Sequence, residues 1–461
     1  MIEPSPRTLT LELPPDVAFL PTAASAAENA AQVYGLDQGG ALKLALAVEE
    51  FHAYLCRHGD PAEPLRLSLT SGGTFVRASF RLRASEVSLR ALNFAASVSL
   101  DDGGDDHCEL GLLVAARTTD RCSLESLGAG AYLLQAEVDR AYPEEEPLRA
   151  PHRLSEPVSI VEASNDADNH GQSPAGLLRH AALLAAGRYP ARACPSSFSR
   201  PTRFADMVAS GQYHALLVAD GAGRPAGLIC WRGSGPRAVV FSGPYVFDDG
   251  EDRTLAKETA RLLTERFLSR VARTEALCAF SERATADVPQ GWFERLGQLT
   301  LHGGGAAEVQ PALFRHLRED VGGAVWAHPD LVPFLEDAYD RLAFSRDILK
   351  AVPHAGGAGP GMPKHSLLAT ALDRRRGLAL LRPLLDGQDF AANLAAHVAE
   401  LAAQKSASGC PPDILLHLDL SEPWQAARHA EAAACGFAPR LILPHAGASD
   451  LLVCQHVPAD R

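Results

Sequence analysis

Leu44-Ala-Leu-Ala-Val-Glu49-Glu50-Phe-His-Ala-Tyr54-Leu-Cys-Arg-His58-Gly59 carries the clearest periodic signal in the chain. Leu44, Ala45, Val48, Phe51 and Leu55 recur at three- and four-residue spacing. That spacing predicts a helix over 41–58 with one apolar face, and Gly59 stops it as a C-terminal glycine does. Outward from this helix, Thr8–Leu13 alternates and predicts a strand, and 22–34 predicts a helix stopped by Gly35. Leu65–Thr70 and Thr74–Arg81, parted by Ser71-Gly72-Gly73, predict a hairpin. A helix near 111–119 and a strand near 131–138 follow. The order β, α, α, β, β, α, β predicts an α/β sandwich with its helices on one face.

Residues 141–175 lose apolar periodicity, contain Pro-Glu-Glu-Glu-Pro, and read as a linker. The next block predicts a helix near 203–210, strands at 213–219, 226–232 and 237–242, and a long helix at 255–271. A strand at 276–281 and a helix around 292–296 complete it. A third block predicts a helix at 334–343, a Gly/Pro break at 353–363 and strands at 366–372 and 377–384. Then come a helix at 390–404, a strand at 414–418, a helix at 424–434 and strands at 440–443 and 451–456. The two later blocks share the order hairpin, long helix, strand, helix, which suggests an internal duplication. The expected division is 1–140, a linker over 141–175, then 176–305 and 306–461.

Bulk composition narrows the function classes. The 461 residues predict about three domains. The formal charge of −13 argues against nucleic acid or an anionic membrane as a partner. No uninterrupted apolar run reaches the ~18 residues of a membrane helix. The first residues lack a basic segment followed by an apolar one, so no secretory signal is expected. Nine cysteines without any Cys-x-x-Cys pair predict free thiols in a cytoplasmic protein. No His-x-x-x-His pair is present and no metal site is expected. Gly-x-Ser-x-Gly is absent too, so nucleophilic hydrolysis is unsupported.

Two stretches carry a resemblance to a known family. Ala47-Val-Glu-Glu50, followed by His58-Gly59, resembles the nucleotide-binding helix of RsbW-like anti-sigma-factor kinases. These carry a histidine-kinase-type (GHKL-type) ATPase domain. Glu109-Leu-Gly111-Leu resembles that family's glycine box, whose amides approach the phosphates. The likeness covers residues 8–139. It implies an ATP/Mg²⁺ pocket with Glu50 as catalytic base and Tyr54, His58 and Gly111 as nucleotide-binding positions. Tyr54 stands where the family has a magnesium-binding Asn, a hard-oxygen role that tyrosine does not readily take over. Glu109 replaces the first glycine, and a carboxylate there repels a triphosphate. Asp101-Asp102-Gly103 falls in the lid-loop position.

Residues 203–300 resemble the GNAT acetyltransferases, through the hairpin Asp220-Gly-Ala-Gly-Arg-Pro-Ala-Gly-Leu-Ile-Cys-Trp-Arg232 and the strand-to-helix step after it. At the junction that holds the acetyl-CoA pyrophosphate on a helix N-terminus, the chain reads Arg253-Thr-Leu-Ala256-Lys-Glu258. Arg253 fits the pattern, while Ala256 and Glu258 replace its glycines. Ile414–Pro423, Cys435-Gly-Phe437 and Asp450-Leu-Leu resemble a second GNAT-type half. The resemblances imply an α/β (α+β) chain: a GHKL-type sandwich followed by tandem GNAT-like domains.

The leading expectation is a bacterial regulatory protein. Its degenerate ATPase-like domain binds a protein partner, a sigma factor or a STAS-type antagonist, and its GNAT-like blocks bind acyl-CoA or act as scaffold. One alternative is an active N-acetyltransferase with Glu282, at the end of the 276–281 strand, as general base. The other is a serine-protein kinase of the anti-sigma type.

Overall fold

In the computed structural model the described residues are 7–59, 61–83, 89–96, 106–128, 131–149, 153–161, 173–303, 306–351, 362–405 and 409–458. The chain is α+β, with several sheets, and it divides into two compact units.

The first unit is built on a five-stranded sheet of order β1-β2-β3-β5-β4. Its strands are β1 (Thr8–Leu13), β2 (Leu65–Ser71), β3 (Phe75–Arg83), β4 (Arg121–Gly128) and β5 (Ala131–Asp139). The helices are α1 (Leu20–Val33), α2 (Gln38–His58) and α3 (Asp106–Thr118). Asp37 caps α2 by accepting the Gly40 N–H at 2.7 Å. The periodic residues of α2 do what their spacing predicts: Leu44, Val48, Phe51 and Leu55 are buried in one core with Leu67, Phe80 and Leu134 of the sheet. The single strand expected near 131–138 is the second arm of a hairpin, β4–β5.

Later sequence returns to complete this unit, which includes His354–Ala371 and Leu381–Glu400. Leu367 is part of the α2 core, with Leu384 and Leu385 packed against it. Buried Asn93 fixes the return: it donates to the Ser366 carbonyl and accepts from the Leu368 N–H, both at 2.9 Å.

The second unit contains a seven-stranded sheet of order β11-β12-β10-β9-β8-β7-β6. Its strands are β6 (Ser159–Val161), β7 (His214–Ala219), β8 (Pro225–Ser234), β9 (Ala238–Val246), β10 (Cys278–Ser281), β11 (Glu294–Gly303) and β12 (Ala306–His316). α4 (Pro174–Arg188) and α5 (Pro201–Ala209) join one core with Phe198 and Tyr245, while α6 (Thr254–Val271) forms another with Trp231 and Phe241. A sheet covered on both faces needs near-continuous apolar strands, and β8 and β9 are buried along most of their length. β9 and β10 are adjacent and parallel, and α6 connects them.

Residues 292–296, expected to be helical, lead into β11 instead. Its alternation is masked by a bulge between Arg295 and Gly297, which shifts the period at Leu296. The strands β11 and β12 pair antiparallel at one edge of the sheet.

Next come β13 (Gly323–Ala327), α7 (Val332–Arg341) and β14 (Arg346–Lys350), with β13 and β14 parallel. A five-stranded sheet follows, of order β15-β16-β17-β19-β18. These strands are β15 (Leu367–Asp373), β16 (Leu378–Leu385), β17 (Asp413–Asp419), β18 (Phe437–Leu443) and β19 (Leu451–His456). α8 (Phe390–Ala403) lies between β16 and β17, and the helix expected at 424–434 is two short ones, α9 (Pro423–Ala427) and α10 (His429–Ala434). The order repeats that of β8-β9-β10-β12-β11, the last two strands being reversed in both sheets. Edge strand β11 meets edge strand β18, and the Thr300 N–H reaches past it to Gln455 Oε1 of β19 at 3.1 Å. Gly297 permits the approach, since a Cβ there would stand 2.6 Å from that of Leu441.

Candidate functional site

Glu50, Tyr54 and His58 follow one another at helical spacing on α2. Glu50 is half-buried, and burial followed by the neighbouring Glu49 charge raises its pKa. Its carboxylate lies against Gly111 of α3, where a Cβ would overlap Glu50 Oε2. The glycine expected to admit a phosphate thus admits a carboxylate from the same protein. Tyr54 is buried, with its ring 4.5 Å from that of exposed His58. A buried phenol tilted against imidazole does not fit a magnesium ligand, and a carboxylate against α3 does not fit a triphosphate. Asp101-Asp102-Gly103 lies outside the described residues, as does the Glu109 side chain.

In the second unit, β9, α6 and the segment after β10 define the candidate pocket. Arg253 precedes α6 and is exposed; it reaches Asp287 at 3.2 Å and the Asp248 carbonyl at 3.4 Å. Asp252 accepts the Thr254 N–H at 2.9 Å and the Thr254 hydroxyl at 2.5 Å. A carboxylate therefore already complements the positive end of the helix. Ala256 faces inward and packs with Val246 and Ala260. The fit to a pyrophosphate is partial: Arg253 is accessible, and Asp252 holds a donor the phosphate would use.

Three residues that the sequence did not flag, Tyr189, Thr285 and Asp287, close the end of β9. β10 pairs with β9 only through Phe280–Val240, and after it a lone bridge joins Gly243 to Ala284. Beyond the bridge, side chains hold the strands together. The Thr285 hydroxyl donates to the Pro244 carbonyl at 2.5 Å. The Tyr189 hydroxyl accepts the Val246 N–H at 2.6 Å and donates to Asp287. Burial, reinforced by Asp287, raises the Tyr189 pKa far above that of a free phenol. Tyr189 and Asp287 are 98 residues apart in the sequence, so no local pattern could have paired them.

Glu282 directly follows β10, two residues before the Ala284 bridge to β9. Its carbonyl accepts from Gln310 Nε2 at 2.6 Å, and its carboxylate acts electrostatically on Arg376. Arg253 instead pairs with Asp287. A cavity of about 230 Å³ lined by Gly291–Glu294 and Phe314–His316 contains none of the expected site residues. Among the described residues no helix is long and apolar enough to cross a membrane.

No protein-family description matches this chain, and no curated protein matches it. Two solved structures are similar to part of it. One is an aminoglycoside 6'-acetyltransferase of type Ii, 13% identical, covering 36% of this chain and 99% of its own, with a TM-score of 0.25. The other is a protein of Acinetobacter baylyi named as an acetyltransferase, 16% identical, covering 35% of this chain and 92% of its own, also with a TM-score of 0.25. Likeness at that level transfers no residue role.

Proposed function

We propose that this chain is a bacterial regulatory binding protein whose GNAT-like and ATPase-like pockets no longer turn over. In this reading residues 1–140 present an RsbW-like surface to a protein partner, a sigma factor or a STAS-type antagonist. The blocks at 176–305 and 306–461 hold an acyl-CoA-type ligand or act as scaffold. The observation that carries it is the Tyr189 hydroxyl on the Val246 N–H. Acyl transfer needs a free donor where charge develops on the thioester oxygen, and this strand-end amide is already engaged. The close approach of the Glu50 carboxylate to Gly111 supports the same reading for nucleotide.

Isothermal titration of the full chain with acetyl-CoA and with ATP-Mg²⁺, alongside a radiolabel assay against amines, tests it. Binding of acetyl-CoA without acetyl transfer is expected. Turnover of either ligand overturns it; loss of acetyl transfer in Glu282→Gln would then identify the acetyltransferase alternative.

A further inference from the structure

At one end of the seven-stranded sheet β11 and β12 separate. Their pairing stops at Glu294 opposite Phe314, whereas β10 follows β12 as far as His316, opposite Cys278. Gly291 holds φ at +78°, outside the extended range, so the residues before Glu294 leave the ladder. The space between 291–294 and 314–316 is the cavity of about 230 Å³.

Its walls are aromatic and fixed. The Phe293 ring lies 4.9 Å from that of Phe241, and Trp292 packs on the same core. The His316 ring lies 4.8 Å from that of Phe314 and 4.6 Å from that of Phe344. His316 Nε2 donates to the Leu342 carbonyl at 2.8 Å, which holds the imidazole in place.

Arg315 supplies the cation. It is half-buried, and its Nη1 donates to the Trp292 carbonyl at 2.5 Å. Among the described residues it has no other hydrogen-bond partner and no ion pair. Glu294 does not balance it. Glu294 is exposed and stands directly opposite Phe314, so it shares the Phe314 face of the sheet. Arg315 is the next residue along β12, and successive side chains of a strand leave on opposite faces. The planar fork of a guanidinium matches the two oxygens of a carboxylate. A cavity on the order of 150 Å³ holds a benzene ring, so this one has room for a ring and one small group.

We propose that this cleft binds a small molecule made of one aromatic ring and one carboxylate, with the ring against Trp292 and Phe293 and the carboxylate on the Arg315 fork. No residue at the start of α6 takes part, so the site does not depend on acyl-CoA binding there.

Isothermal titration of the full chain with sodium benzoate, sodium acetate and benzylamine tests it. Benzoate is expected to bind with a Kd below about 1 mM, within reach of a fragment of its size. Acetate lacks the ring and benzylamine the carboxylate, and each should bind at least about tenfold more weakly. Arg315→Gln should weaken benzoate binding by about tenfold or more. Independently of any variant, photolabelling with para-azidobenzoate and peptide mapping should mark 291–294 or 314–316, and excess benzoate should suppress that label. Benzoate binding no tighter than acetate or benzylamine, full benzoate affinity in Arg315→Gln, or label confined to other segments would overturn the proposal.

Discussion

Arg346 Nε lies 2.8 Å from Asp450 Oδ2, and the two side chains retain only 2% and 0% of their exposure. Asp320 holds the other side of the guanidinium at 2.7 Å. The rings of Phe344 and Tyr339 lie 4.9 and 5.8 Å from it. Asp450 also takes the Tyr339 hydroxyl at 3.0 Å and the His445 N–H at 2.9 Å. One arginine thereby joins α7 and β14 to the β18–β19 turn. Removing Asp450 leaves buried Arg346 with Asp320 alone and strands the Tyr339 hydroxyl and the His445 N–H. Asp450→Ala should lower unfolding free energy by about 3–5 kcal/mol, measured by urea denaturation. Arg346→Met combined with Asp450→Leu and Asp320→Leu should lower it far less, because all three buried charges of the cluster are removed together.

Acid should weaken the same junction. Burial alone would raise the Asp320 pKa, but hydrogen bonds from Arg346 and His445 outweigh it and hold the carboxyl below its ordinary value. A carboxyl depressed in the folded state stabilises above its unfolded pKa of about 3.9, and that stability is lost as pH falls through the folded value. Urea midpoints should therefore fall below about pH 4. Asp320→Asn should be less stable at neutral pH and show a flatter acid limb.

Glu50 should behave in the opposite sense. Its folded pKa is raised, so the folded state favours the protonated acid, and stability declines as pH rises from the unfolded value toward the folded one. Glu50→Gln should stabilise at neutral pH and lose that advantage near pH 4. Gly111→Ala should destabilise by about 1–3 kcal/mol through overpacking, and Glu50→Ala should recover most of the loss. A double-mutant cycle read by chemical denaturation measures this coupling. Strict additivity would show that Gly111 and Glu50 do not share space.

Tyr189→Phe removes the acceptor of the Val246 N–H and the donor to Asp287. It should cost about 1–3 kcal/mol. Hydrogen exchange should quicken at Val246 and in the 284–288 segment before other parts of β9.

Helices with a polar face were legible in the sequence, as α2 and α6 show. α4 was not: Leu177, Leu178, Ala181, Ala182, Leu183, Leu184 and Ala185 are all buried, so burial around the helix erases the stripe that marks an amphipathic one. β11 was misread because its bulge interrupts the alternation. The site divides along the same line. Glu50, Tyr54 and His58 share one helix and could be read together. The Tyr189–Asp287 bond is set by tertiary packing between distant segments, which local spacing does not encode.

The return of residues 362–371 and 381–400 to the first unit has a consequence during synthesis. A ribosome that has released residues 1–141 has not yet made Leu367, Ser366 or Asn393, so the α2 core and the Asn93 side chain lack their partners. At about 5–20 residues per second, the missing segments take on the order of tens of seconds to emerge. Throughout that interval the core around α2 lacks Leu367, Leu384 and Leu385, so the first unit is completed only after most of the second has been synthesised.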